Sequence, residues 1–172
     1  MGKRIFLNVV ILILLFSCQE KAEFKTESLF SDYEDEKGVF IVTLSPALVY
    51  FLLDNEKDAE LIEAITSFEK VKTLLYRNFH DDNRSDDLYK DFNDFYIDNR
   101  FENIASIKKS NEQAKIYLYE MNSDKKELVV LFTDNHSMVC IGCYGNIQPE
   151  SLNVLMNPEN IERLKQLKDG TI

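Results

Sequence analysis

A chain of 172 residues with 45% hydrophobic content has room for one domain of ordinary size and enough apolar side chains to offset the entropy of ordering it. A formal net charge of -10 excludes nucleic acid as a partner, because that binding depends on Lys and Arg displacing counterions from phosphates. The same charge gives no attraction to anionic headgroups, so any membrane attachment has to come from something other than charge.

The N-terminus reads as a secretory signal over residues 1–17. Lys3 and Arg4 form a short positive region, Ile5 to Phe16 is apolar apart from Asn8, and Ser17 is a small residue directly before Cys18. The apolar run is about a dozen residues, short of the roughly 20 needed for a membrane-spanning helix, and polar Gln19, Glu20 and Lys21 follow at once. Leu15-Phe16-Ser17-Cys18 resembles the lipobox of bacterial lipoproteins. That resemblance implies acylation of Cys18, removal of the signal, and a palmitate-bearing anchor in the cell envelope, expected at the outer membrane. Several acyl chains, each methylene contributing about 0.8 kcal/mol when buried, would make attachment effectively permanent.

Residues 18–37 are polar and acidic, with Asp32, Glu34, Asp35 and Glu36 clustered and Phe24, Leu29, Phe30 and Tyr33 showing no clear period. They are expected to form a flexible tether. A single domain is expected from Gly38 to Ile172. Val39 to Leu44 is its first strand, and Ser45-Pro46 opens a helix over Ala47 to Leu53. Leu61, Ile62, Ile65 and Phe68 recur at helical spacing, Val71 to Tyr76 is β-branched and apolar, and Asn78 to Asp87 is a polar loop. Leu88, Phe92, Phe95 and Tyr96 then mark an amphipathic helix, with Ser85 as its cap.

Four strands follow, Ile104 to Lys108, Lys115 to Met121, Leu128 to Thr133 and Met138 to Tyr144, joined by short polar turns as an antiparallel meander. Asn157-Pro158 starts a C-terminal helix with Ile161, Leu164 and Leu167 on one side. The predicted order is β-α-α-β-α-β-β-β-β-α. That is an α+β fold, a largely antiparallel sheet with helices packed on one face.

From Gly38 onward the sequence resembles the bacterial envelope lipoproteins grouped as domain of unknown function 4252. The resemblance rests on Gly-Val-Phe-Ile-Val-Thr-Leu-Ser-Pro at 38–46, on the strand before His80, and on the strand ending at Gly145 that leads into Gln148 to Leu155. It implies location and fold, and carries no functional residues with it.

Few constellations in the chain carry chemistry. Cys140-Ile141-Gly142-Cys143 has the spacing of a redox pair or half a zinc site, with His136 close by in sequence. Residues three apart on a strand point to opposite faces, so packed thiols outrank a disulfide, and a disulfide outranks metal or redox chemistry. The loop from His80 to Asp87 offers oxygens at alternate positions, but Asp86 stands where a calcium loop needs glycine and Phe92 where it needs a bidentate acid. The aromatic residues Tyr89, Phe92, Tyr96, Tyr117 and Tyr119 have the spacing that a core produces. No cofactor is expected. The leading expectation is a lipid-anchored, non-enzymatic module binding another envelope protein. An envelope-stress sensor acting on a membrane partner comes second, and a metal-dependent or hydrolytic enzyme using His80 or His136 third.

Overall fold

The computed structural model of the chain describes residues 24–45, 47, 59–77, 84–157 and 159–160. Helix α1 (Lys25–Ser31) precedes strand β1 (Val39–Leu44), and helix α2 (Ala59–Thr66) precedes β2 (Phe68–Arg77). Helix α3 (Arg84–Asp98) leads into β3 (Glu102–Lys109), β4 (Glu112–Glu120), β5 (Lys126–Thr133) and β6 (Ser137–Gly145), and α4 (Pro149–Leu155) follows. All six strands form one antiparallel sheet in the order β1-β2-β6-β5-β4-β3. The α+β class and the four-strand meander are as the sequence predicts.

The helices divide between two faces instead of one. On the first face α1 and α3 bring Leu29, Phe30, Leu88, Phe92 and Tyr96 onto Leu74, Val129, Leu131, Met138 and Cys140. On the second, α2 brings Leu61, Ala64 and Ile65 onto Val71, Leu128 and Cys143, and α4 leans against α2. The reason is that β5 and β6 are apolar in continuous runs, Leu128 to Phe132 and Met138 to Ile141, so both of their faces need cover. Each fully buried large side chain contributes about 1.5–3 kcal/mol.

The tether expected over residues 18–37 is corrected from Phe24 onward. Phe24, Thr26, Leu29 and Phe30 are buried, and α1 is part of the first-face core. Seven residues are too few to display a helical period, so the apolar positions look scattered in sequence although Leu29, Phe30 and Tyr33 all meet the core. Glu27 ties α1 to β2 through Lys70 at 2.5 Å and Lys72 at 3.4 Å. The turn into β1 uses Gly38 at φ +87°, where a Cβ would lie 2.9 Å from the Arg77 carbonyl oxygen.

Other boundaries move in smaller ways. Phe68 opens β2 instead of closing the helix before it, and Ser85 is buried in the first turn of α3 instead of capping it. Helix α4, with Pro149 in its first turn, occupies Pro149–Leu155, a stretch to which the sequence assigns no element. The signal, Cys18, residues 48–53 of the helix expected from Ala47 to Leu53, His80, and Ile161, Leu164 and Leu167 lie outside the described residues.

Candidate functional site

The most built cluster of polar groups joins α1 to the sheet. Strand alternation puts Glu127, Val129, Leu131 and Thr133 on the first face, so Glu127 points inward with no exposed surface. Phe24, the residue before α1, supplies no side-chain cap, and Glu127 fills that role from β5. Its carboxylate accepts the Thr26 N–H at 2.8 Å and the Lys25 N–H at 3.0 Å, and the Thr26 hydroxyl also donates to it. Lys25 extends past this contact, donating to the Asn99 carbonyl at 3.1 Å and lying 3.8 Å from the centre of the Tyr119 ring.

From Thr26 the cluster continues inward. The Tyr96 hydroxyl lies 3.3 Å from the Thr26 hydroxyl and 3.2 Å from the Cys140 sulfur. Burial pushes the Tyr96 phenol well above its ordinary value. Burial also raises the Glu127 carboxyl, while the bonds from Thr26 and Lys25 pull it back down. Every oxygen here is engaged by the protein itself, so the arrangement works as a clamp on α1. The sequence reading missed Glu127. The signal is present, since an acid at the inward position of a strand otherwise built from Leu, Val and Phe has to find partners.

The two strand cysteines belong to different cores. Cys140 packs on the first face and Cys143 on the second, both buried as free thiols. Desolvation raises both, Cys143 to about 12 and Cys140 further, so neither is a thiolate at neutral pH. His136 is exposed in the β5–β6 turn, placed there by Asp134, whose carboxylate accepts the His136 N–H at 2.9 Å and the Ser137 N–H at 2.8 Å. Among the described residues no three His, Cys, Asp or Glu side chains gather as metal ligands. Arg84 to Asp87 of the expected oxygen-rich loop are helical, in α3.

Two surface features remain. An open cleft of about 500 Å³ lies beside the β3–β4 and β5–β6 turns, lined in part by Leu75, Arg77, Lys109, Asn111 and His136. At the β1 edge of the sheet, β1 pairs only with β2 among the described strands and exposes Phe40 (53%) and Val42 (49%).

The family model described as Domain of unknown function (DUF4252) matches residues 33–155, more than two thirds of the chain. The chain belongs to this family. The matched span runs from the end of the α1 segment through the whole sheet to α4, so it includes Glu127 and both strand cysteines but not Thr26. Comparison with curated proteins and with solved structures returns no match.

Proposed function

We propose that the chain is a lipid-anchored protein of the bacterial cell envelope, attached through Cys18 and expected at the outer membrane, whose domain is a non-enzymatic module binding another envelope protein. The anchor is supported by the lipobox-like Leu15-Phe16-Ser17-Cys18 after a short apolar run. The binding role is carried by the outer edge of β1, which has no strand partner among the described residues. Val39 to Leu44 contains no charged residue and no proline, and Phe40 and Val42 stand out from it. The other edge strand, β3, carries Glu102, Lys108 and Lys109, the charges that ordinarily discourage edge pairing. An uncharged apolar edge suits a partner that adds an extended strand, with main-chain bonds giving affinity and Phe40 and Val42 giving grip.

The test places a photo-crosslinking amino acid at Phe40 or Val42 in living cells, with the same probe at Lys109 as control. One partner recovered from the first two positions and not from the third is expected. Equal capture at all three, or none at Phe40 and Val42, would remove β1 as the binding edge. A membrane-embedded partner would turn the role toward sensing. Loss of radioactive palmitate labelling in C18S tests the anchor separately.

A further inference from the structure

We infer that the domain sits directly on the lipid surface through the end of the sheet where α1 begins, and presents its Arg77–His136 cleft away from the membrane. This rests on lipid attachment at Cys18 and goes beyond it by fixing distance and orientation.

The chain is part of the fold from Phe24. The Phe24 ring lies 5.8 Å from that of Tyr144, a Cβ at Gly142 would come within 3.0 Å of its Cζ, and the next two N–H groups are held by Glu127. Six residue steps separate Cys18 from Phe24, which span at most about 20 Å when fully extended. The sheet is longer than that, because a nine-residue strand such as β6 covers about 30 Å. An anchor at Cys18 therefore cannot lift the near end clear of the headgroups and bring the far end down to them.

Register defines the near end. Lys126 pairs with Gly145, the Lys125 ammonium lies 5.7 Å from the Tyr144 ring, and the β4–β5 turn with exposed Ser123 projects there. The β5–β6 turn with Asn135 and His136 lies at the other end of the same hairpin, beside the cleft.

Charge agrees with this placement. Lys25, Lys70, Arg100, Lys125 and Lys126 lie at the near end. Glu27, Glu69, Asp98, Glu102, Glu120, Asp124 and the buried Glu127 stand among them there. Most of the chain's net -10 resides elsewhere, including the exposed Asp86, Asp87, Asp91 and Asp94 of α3. An end where five basic side chains interleave with the acids can lie against anionic headgroups, whereas the acidic flank would be repelled.

The experiment uses the full mature lipoprotein in vesicles of phosphatidylethanolamine and phosphatidylglycerol that carry a headgroup-linked acceptor dye. A donor is attached at Ser123→Cys in one preparation and at Asn135→Cys in another. Cys140 and Cys143 are buried and escape labelling, and both new sites are in exposed turns that leave the core intact. Energy transfer several-fold stronger from position 123 than from 135 is expected. Inserting about twenty Gly and Ser residues after Gln19, with a mean reach of about 25 Å, should bring the two efficiencies together. Equal or reversed transfer from a protein whose N-terminal peptide carries the lipid mass would overturn the orientation alone. An unmodified Cys18 in that peptide would overturn the anchor and the orientation together.

Discussion

Glu127 caps the helix that carries Thr26, reaching from the start of β5 to accept that residue's N–H at 2.8 Å and its hydroxyl as well. Removing the carboxylate leaves buried donors on Lys25 and Thr26 without their acceptor. Glu127→Ala should therefore cost about 2–4 kcal/mol. Glu127→Gln, which keeps one acceptor oxygen, should cost about 1 kcal/mol. Urea unfolding gives the difference, and hydrogen exchange should show α1 amides losing protection first; an unchanged midpoint for Glu127→Ala would remove the clamp. Because burial raises the folded carboxyl above 4.5, its linked stability is fully present below that pH and is lost as pH rises through the folded value. The gap between wild type and Glu127→Ala should accordingly be wider at pH 4 than at pH 7.

Glu27 should behave in the opposite sense. The hydrogen bond from Lys70 lowers its carboxyl, burial opposes this, and the charges of Lys70 and Lys72 add to the lowering. Stability from this contact is present above pH 4.5 and lost as pH falls through the folded value. The site is substantially exposed, so Glu27→Gln should cost only about 0.5 kcal/mol at pH 7. That difference should close in acid and shrink in high salt. A deficit that grew as pH fell would contradict the assignment.

Gly142 is the second point at which α1 depends on the sheet. A Cβ there would lie 2.8 Å from the Thr26 methyl and 3.0 Å from Phe24 Cζ, and Thr26 is fully buried with nowhere to retreat. Gly142→Ala should cost about 1–3 kcal/mol by overpacking. It should also make the segment near Phe24 more sensitive to protease than β4 or β5. Uniform loosening of the whole sheet would place the strain elsewhere.

How far the fold was legible depended on element length. The β3–β6 meander is legible because each strand is eight or nine residues long and bounded by polar turns such as Asn122 to Lys125. Helices α1 and α4 have seven residues each, too few for a period, so α1 falls within the expected tether and α4 is not anticipated as a helix. The use of both faces was visible in the unbroken apolar runs of β5 and β6, which a one-sided sheet does not need. Glu127 was hidden for a different reason. Its partner Thr26 is 101 residues away, and two of its three donors are backbone N–H groups that no side-chain motif announces.

Tyr89 offers a substitution with the opposite sign. Its hydroxyl is buried with no hydrogen-bond partner among the described residues, and burial raises it to about 12. Removing an unsatisfied buried polar atom recovers its desolvation cost, so Tyr89→Phe should leave stability unchanged or raise it by up to about 1 kcal/mol. A loss greater than that would reveal a partner for the hydroxyl.

Cys140 and Cys143 face opposite cores, so their reactivity should report opening of the helix layer on each face. The helices packed over β6 would have to lift before a reagent met either sulfur. Raised thiol pKa values lower reactivity further, because the thiolate is the attacking species. For a domain stable by about 5 kcal/mol, exchange through opening implies protection of about a thousandfold or more. Purified C18S protein treated with a thiol-specific dye should therefore show almost no labelling in buffer and two labelled thiols in urea. Adding Glu127→Ala should speed labelling of Cys140 more than Cys143, because the clamp lies on the first face beside Tyr96 and Cys140. Rapid native labelling of either residue, or a single thiol in urea, would contradict this packing.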